Sequence, residues 1–207
     1  VAVSWRSWAA DIAVNLSNGL VDAGEMTDAD AEALKQVNFE LGEEFKAKRL
    51  TQDELARVVE DAIGPTVLAG AMLFIEQKHV GQAEDKLTPE EAAEASVALR
   101  RVAQGLLDKQ ISVAEAEDVI TPLETVDAQG NDTIAGPESV TAEQLLAVSQ
   151  AAKKAADDAG VPEAPRVINL GAEYRQLVEE SLGRTLGAAP ADPASGTPPA
   201  DSAAPGE

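Results

Sequence analysis

The chain has no cysteine, which removes disulfide scaffolds, thiolate nucleophiles, iron–sulfur centres and Cys-ligated zinc together. Its one histidine, His79, excludes a two-His metal site and any relay between imidazoles. Aromatic residues make up only 3% of the chain, so rings build little of its core. Positive charge is scarce as well. Sixteen Lys and Arg stand against 37 Asp and Glu, giving a formal net charge of −21 and a pI near 4.3. Such a surface repels nucleic-acid phosphates and anionic lipid alike, so neither direct nucleic-acid binding nor a membrane is expected. The longest apolar run, 67–75, is about half the length of a bilayer crossing and reads as a buried connecting helix. No basic, apolar-centred leader opens the chain. Val1 reads as a processed end or as a literal GTG start. The expected compartment is the cytoplasm, with a processed secreted chain as the alternative.

What is present favours helix. Apolar residues make up 44% of 207, and Ala with Leu dominates that fraction. Nowhere does the apolar/polar alternation of a half-buried strand appear. Instead one signal recurs: an apolar residue, Thr or Ser, two further residues, then an acid or Gln. It stands at Met26–Asp30, Leu50–Glu54, Leu87–Glu91, Ile111–Glu115 and Val140–Gln144. This is the capping box, in which the hydroxyl accepts from the third helical N–H and the side chain there reaches back to the cap. Asp30 is the weakest of the five because its side chain is short. Pro89 falls at a first helical position, where a missing donor costs nothing.

The spacing repeats. Thr27 to Thr51 and Thr88 to Ser112 are each 24 residues apart, and the same alignment superposes Lys48 on Lys109 and Glu54 on Glu115. The expected fold class is all-α: an irregular bundle of two or three repeated helical hairpins with a disordered C-terminal tail. Its parts are an N-terminal helix over 1–24, two hairpins and a connecting helix over 25–126, and an acidic loop over 127–139. A third, degenerate hairpin covers 140–186, and a Pro/Ala-rich tail covers 187–207. Gly64-Pro65 reads as the stop of the first hairpin. The third hairpin should turn at 160–165 and return over 170–182.

The Leu50–Glu54 and Leu87–Glu91 starts, and more loosely Val140–Gln144, resemble the short repeated motif of periplasmic helical-hairpin stress chaperones. Both strings carry Glu where that family has Gln, and any capped helix produces them.

Few residues suggest chemistry. The stretch 127–138 matches a calcium loop at Asp127, Gln129, Asn131 and Glu138, with the Thr133 carbonyl as a further ligand. It departs where geometry is strictest, with Asp132 at the glycine position and Pro122 breaking the entering helix. Calcium is therefore the one ligand hinted at, and no other cofactor is implied. Glu76 and His79 share the i, i+3 spacing of di-iron bundles, but no second His exists. Gly-x-Ser-x-Gly elbows and phosphate-binding glycine loops are absent. Trp5 and Trp8 sit on one face of the N-terminal helix, either sealing the core or anchoring a partner. From Gln110 to Ala152 there is no Lys or Arg, and Glu115, Glu117 and Asp118 fall in that stretch. The expected function is a non-enzymatic acidic helical interaction or structural protein whose partner is a protein; a basic partner would suit the acidic stretch. The alternatives are an acidic DNA mimic that inhibits a basic DNA-binding protein, and a weak calcium-dependent module.

Overall fold

The computed structural model describes residues 20–21, 26–128, 130 and 132–187. Among these the fold is all-α. Six helices are α1 (Asp28–Lys46), α2 (Gln52–Val80), α3 (Pro89–Leu107), α4 (Val113–Ile120), α5 (Ala142–Asp158) and α6 (Leu170–Leu182). The N-terminal helix expected over 1–24 and the tail beyond Gly187 lie outside the described residues, apart from Leu20 and Val21.

Four of the five expected helix starts close as full capping boxes, at Thr51, Thr88, Ser112 and Thr141. The fifth does not, and the reason is tertiary. Thr27 accepts from the Asp30 N–H at 3.1 Å, but the Asp30 carboxylate turns away to α6. There it accepts from the backbone N–H groups of Gly171 at 3.0 Å and Ala172 at 3.4 Å. The α6 cap residue, Asn169, makes no side-chain cap bond of its own. Asp30 thus supplies the negative charge that a helix N-terminus favours, from another helix.

Gly64-Pro65 does not stop a helix. α2 runs unbroken for 29 residues from Gln52 to Val80. A proline lacks the N–H and crowds the carbonyl four residues back. The chain accommodates Pro65 by widening into a π-turn over Val59–Ile63, where the Gly64 N–H bonds the Val59 carbonyl five residues back. A second π-turn follows at Glu76–Val80. By length and composition α2 is long and apolar enough to cross a membrane. Here it is the core helix, with Leu68, Ala69, Ala71, Met72 and Ile75 fully buried.

The turns after α1 and α3 share one backbone geometry. Lys48 and Lys109 both adopt left-handed φ, 57° and 58°, a conformation that costs a non-glycine residue about 1 kcal/mol or more. The hydrogen bonds match position for position: Lys48 N–H to Phe45 O and Arg49 N–H to Glu44 O, then Lys109 N–H to Leu106 O and Gln110 N–H to Gly105 O. Gly160 closes α5 in the same way at φ 68°.

The expected hairpins nevertheless do not close on themselves. α1 packs chiefly against α6 and α3 against α5 and the middle of α2, while α4 lies mainly on α5. α6 occupies the span of the expected return helix but crosses to α1 instead of doubling back on α5. Gly171 permits this close crossing: a Cβ there would stand 2.3 Å from the Asp30 carbonyl oxygen. A short antiparallel hairpin, β1 (Glu124–Val126) with β2 (Asp132–Ile134), interrupts the helices. Three residues per strand are too few for alternation to register in a sequence.

Candidate functional site

The π-turn that accommodates Pro65 also presents two acids. Glu60 and Asp61 lie on it, both exposed, opposite the turn that leads from α3 into α4. Between them runs a groove of about 510 Å³ lined by Glu60, Asp61, Pro65, Leu106, Lys109, Gln110 and residues 111–115. Its floor is apolar and well packed, with Leu106 1% and Ile111 4% exposed. Val113 packs against the π-turn at Gly64, its methyl 3.6 Å from where a Cβ would stand, an ordinary contact distance.

On the far rim the Glu115 carboxylate accepts from the Ser112 N–H at 2.8 Å and the Ser112 hydroxyl at 2.7 Å. The hydroxyl bond first, then the backbone bond, holds its pKa below the usual carboxylate value. Glu115 is therefore anionic and fixed in place. Glu60 and Asp61 make no ion pair or side-chain hydrogen bond among the described residues. The only cation lining the groove, Lys109, leans away to Glu180, 3.3 Å distant. Three carboxylates thus rim an apolar-floored groove, and its own lysine is turned outward.

Of the expected partner-binding residues, Glu115 reaches this groove. Asp118 is exposed one turn further along the same side of α4, and Glu117 is half-buried on another side. Trp5 and Trp8 lie outside the described residues. Glu60 and Asp61 escaped the sequence reading, since Gly64-Pro65 looked like a terminus. A glycine–proline pair inside an otherwise continuous helical pattern was the available signal.

The calcium-loop geometry is not formed. Val126 pairs with Asp132 and Thr125 with Thr133, so the chain closes as a β-hairpin with Asp127 at its tip. Gln129 and Asn131 lie outside the described residues. Glu138 sits beyond the other end of the hairpin. The Ala135 N–H there bonds the Leu123 carbonyl at 2.9 Å, and Lys86 donates to the Pro137 carbonyl at 2.8 Å. The Glu138 carboxylate folds over Gly136. A strand ladder replaces the tight winding that brings positions 1 and 12 of a calcium loop to one ion. Among the described residues no three His, Asp or Glu side chains group to hold a metal.

Glu76 and His79 share the second π-turn but serve different partners. Glu76, 6% exposed, accepts from the Ser96 hydroxyl and pairs with Arg100 at 3.2 Å. His79, 4% exposed, bonds through Nε2 to the Ala135 carbonyl at 2.8 Å, and its Nδ1 has no partner. Burial drives the imidazole pKa down, against the opposing pull of the Ala135 bond and Glu138. A neutral ring with Nε2–H donating fits this site.

No family model, curated protein or solved structure matches the chain.

Proposed function

We propose that the protein is a non-enzymatic helical interaction protein, and that its acidic groove receives a Lys/Arg-rich segment of a protein partner. One observation carries this reading: Glu60, Asp61 and Glu115 converge on an apolar-floored groove whose carboxylates the protein's own cations do not neutralise. Several cations elsewhere are held in ion pairs. Arg49 and Arg184 flank Glu44, Arg100 meets Glu76, Arg101 meets Asp157, Arg166 bridges Asp108 and Glu173, and Arg175 meets Glu40. The surplus negative charge therefore accumulates outside these pairs, and steers a basic partner over a distance of about 10 Å at 0.1 M salt. The floor supplies contact for the stems of Lys and Arg, which cover apolar surface while their heads meet carboxylates.

The test is titration with a Lys/Arg-rich peptide, comparing Glu60→Lys/Asp61→Lys with Glu84→Lys/Asp85→Lys, a pair of equal charge on a turn outside the groove. The reading requires the first pair to weaken binding at least about tenfold more than the second. Equal losses would mean diffuse attraction to net charge and would refute it.

A further inference from the structure

One stretch of the chain is held to the helices by polar bonds more than by burial. None of the described residues from 124 to 139, the β1–β2 hairpin and the loop after it, is buried. Ile134 and Ala135 are its apolar residues packed against the core. The stretch runs between two fixed points, Leu123 and Val140, both buried. Between them, two side chains hold it on the C-terminal end of α2. His79 Nε2 donates to the Ala135 carbonyl, and Lys86, from the turn after α2, donates to the Pro137 carbonyl. Ala135 links this hold to the strands, because its N–H closes the hairpin on the Leu123 carbonyl. A segment with few buried apolar contacts opens locally at a lower free energy than the whole fold.

We infer that His79 is an acid-operated latch on residues 124–139: as a neutral ring it holds the hairpin on α2, and on protonation it releases the hairpin while the helices stay folded. A carbonyl can only accept, so Nε2 carries the hydrogen and the neutral ring keeps its lone pair at Nδ1. That atom is enclosed and has no partner. Proton uptake makes it a charged donor, and a buried charged donor without an acceptor is far more costly than an idle lone pair. The neighbouring ring, Phe74, meets His79 edge-on with centroids 6.4 Å apart and offers no oxygen.

The charged groups acting on the ring oppose each other: Glu138 favours the imidazolium and Lys86 disfavours it. α3 also packs on this π-turn, and there its Arg100 is paired with Glu76. The Glu138 carboxylate is folded over Gly136, its Oε1 2.6 Å from where a Gly136 Cβ would stand, and makes no bond to Nδ1. A protonated ring therefore needs water, and the least firmly held cover over it is the loop carrying Ala135. Burial holds the closed ring below the ordinary value of 6.5, to which an opened ring returns. Between those two values, each unit of acidification shifts the equilibrium toward the open hairpin by about tenfold. None of these residues lines the acidic groove, so the latch does not rest on the proposed function.

Backbone hydrogen exchange in the full chain, corrected for the intrinsic effect of pH on exchange, reads the opening between about pH 7.5 and about pH 5. The opening constant at the Ala135 amide should rise about tenfold per pH unit below 6.5. The amides of Leu99 and Val102, fully buried on α3, should stay at least about a hundredfold better protected throughout. His79→Gln removes the titrating ring and should make the Ala135 opening independent of pH over this range, whatever its level. Lys86→Met loosens the same loop but keeps the ring, so opening should rise at every pH and retain its slope. Three results would overturn the inference. The first is a wild-type opening constant that stays flat or falls in acid, as it would if Glu138 turned in to accept from Nδ1. The second is the same slope in His79→Gln. The third is an Ala135 amide as well protected as Leu99, which would mean that the stretch opens only with the whole fold.

Discussion

Replacing Gly171 by Ala places a methyl group where α6 crosses α1 at closest approach. The added Cβ stands 2.3 Å from the Asp30 carbonyl oxygen, 2.9 Å from the Leu34 nitrogen and 3.0 Å from Asp30 Oδ1. Two of these are backbone atoms inside a helix and cannot swing aside, so the helices must separate. Overpacking of this kind costs about 1–3 kcal/mol. Separation also strains the Asp30 bonds to the α6 N-terminus, which are charge-assisted and worth about 1.5–3 kcal/mol when made well. Against this, Ala in place of Gly returns less than about 1 kcal/mol of helix propensity in the first turn. The expected net loss is about 2–3 kcal/mol. With a urea m-value near 2 kcal/mol/M, the unfolding midpoint should fall by about 1 M. Gly105→Ala is the comparison. Its Cβ meets Ile111 Cδ1 at 2.6 Å, Ile111 Cγ1 at 2.8 Å and Val161 Cγ2 at 2.9 Å, side-chain atoms of buried residues that must repack but no backbone, so the loss should be smaller, about 1–2 kcal/mol. An unchanged or raised midpoint for Gly171→Ala, or a larger loss at Gly105, would refute the packing argument.

Two further outcomes follow from buried polar groups. Arg101 is 6% exposed and donates to the Pro162 carbonyl at 2.9 Å, Asp157 Oδ1 at 2.7 Å and the Val161 carbonyl at 2.6 Å. Arg101→Met should cost about 3 kcal/mol by urea denaturation, because two carbonyls lose a charged donor. Asp157→Asn should cost under about 1 kcal/mol, since that carboxylate is half exposed and water replaces the pair; the reverse order would contradict this assignment. His79 gives a pH dependence. Burial lowers its folded pKa, so below the ordinary value of 6.5 the unfolded chain takes up a proton that the folded chain refuses. Stability should be full above pH 6.5 and decline as pH falls below it. The lowered carboxylates Glu54, Glu91 and Glu115 add their loss only below 4.5. His79→Gln should flatten the decline between 6.5 and 4.5, measured as the urea midpoint against pH; an identical slope would count against the buried neutral ring.

Local chemistry was legible in the sequence where it acts locally. The five hydroxyl starts are helix N-caps because the atoms that satisfy the first N–H groups lie within three residues of one another. Lys48 and Lys109, which the repeat aligns, adopt the same left-handed backbone, since each turn is closed by its own local hydrogen bonds. What the sequence did not disclose is tertiary. Helices of similar amphipathic pattern carry no mark of which neighbour they choose, so hairpins looked natural where α1 in fact takes α6. The short side chain of Asp30 read as a poor cap for its own helix and serves a different one 141 residues away. Pro65 was misread because a proline in a helix normally ends it, and a π-turn leaves no residue signature beyond the proline itself. Glu60 and Asp61 went unnoticed with it. The calcium-loop resemblance rested on residue types in order, whereas the backbone between Asp127 and Glu138 pairs as strands.

The groove is tested most directly by mapping amide shifts in the uniformly labelled protein as a Lys/Arg-rich peptide is added. The proposed function predicts saturable shifts confined to 59–65 on α2 and 109–118 around α4, which weaken with salt but keep the same pattern. Shifts scattered over every acidic face and abolished together by salt would contradict it, leaving Glu60, Asp61 and Glu115 as part of a solvated surface.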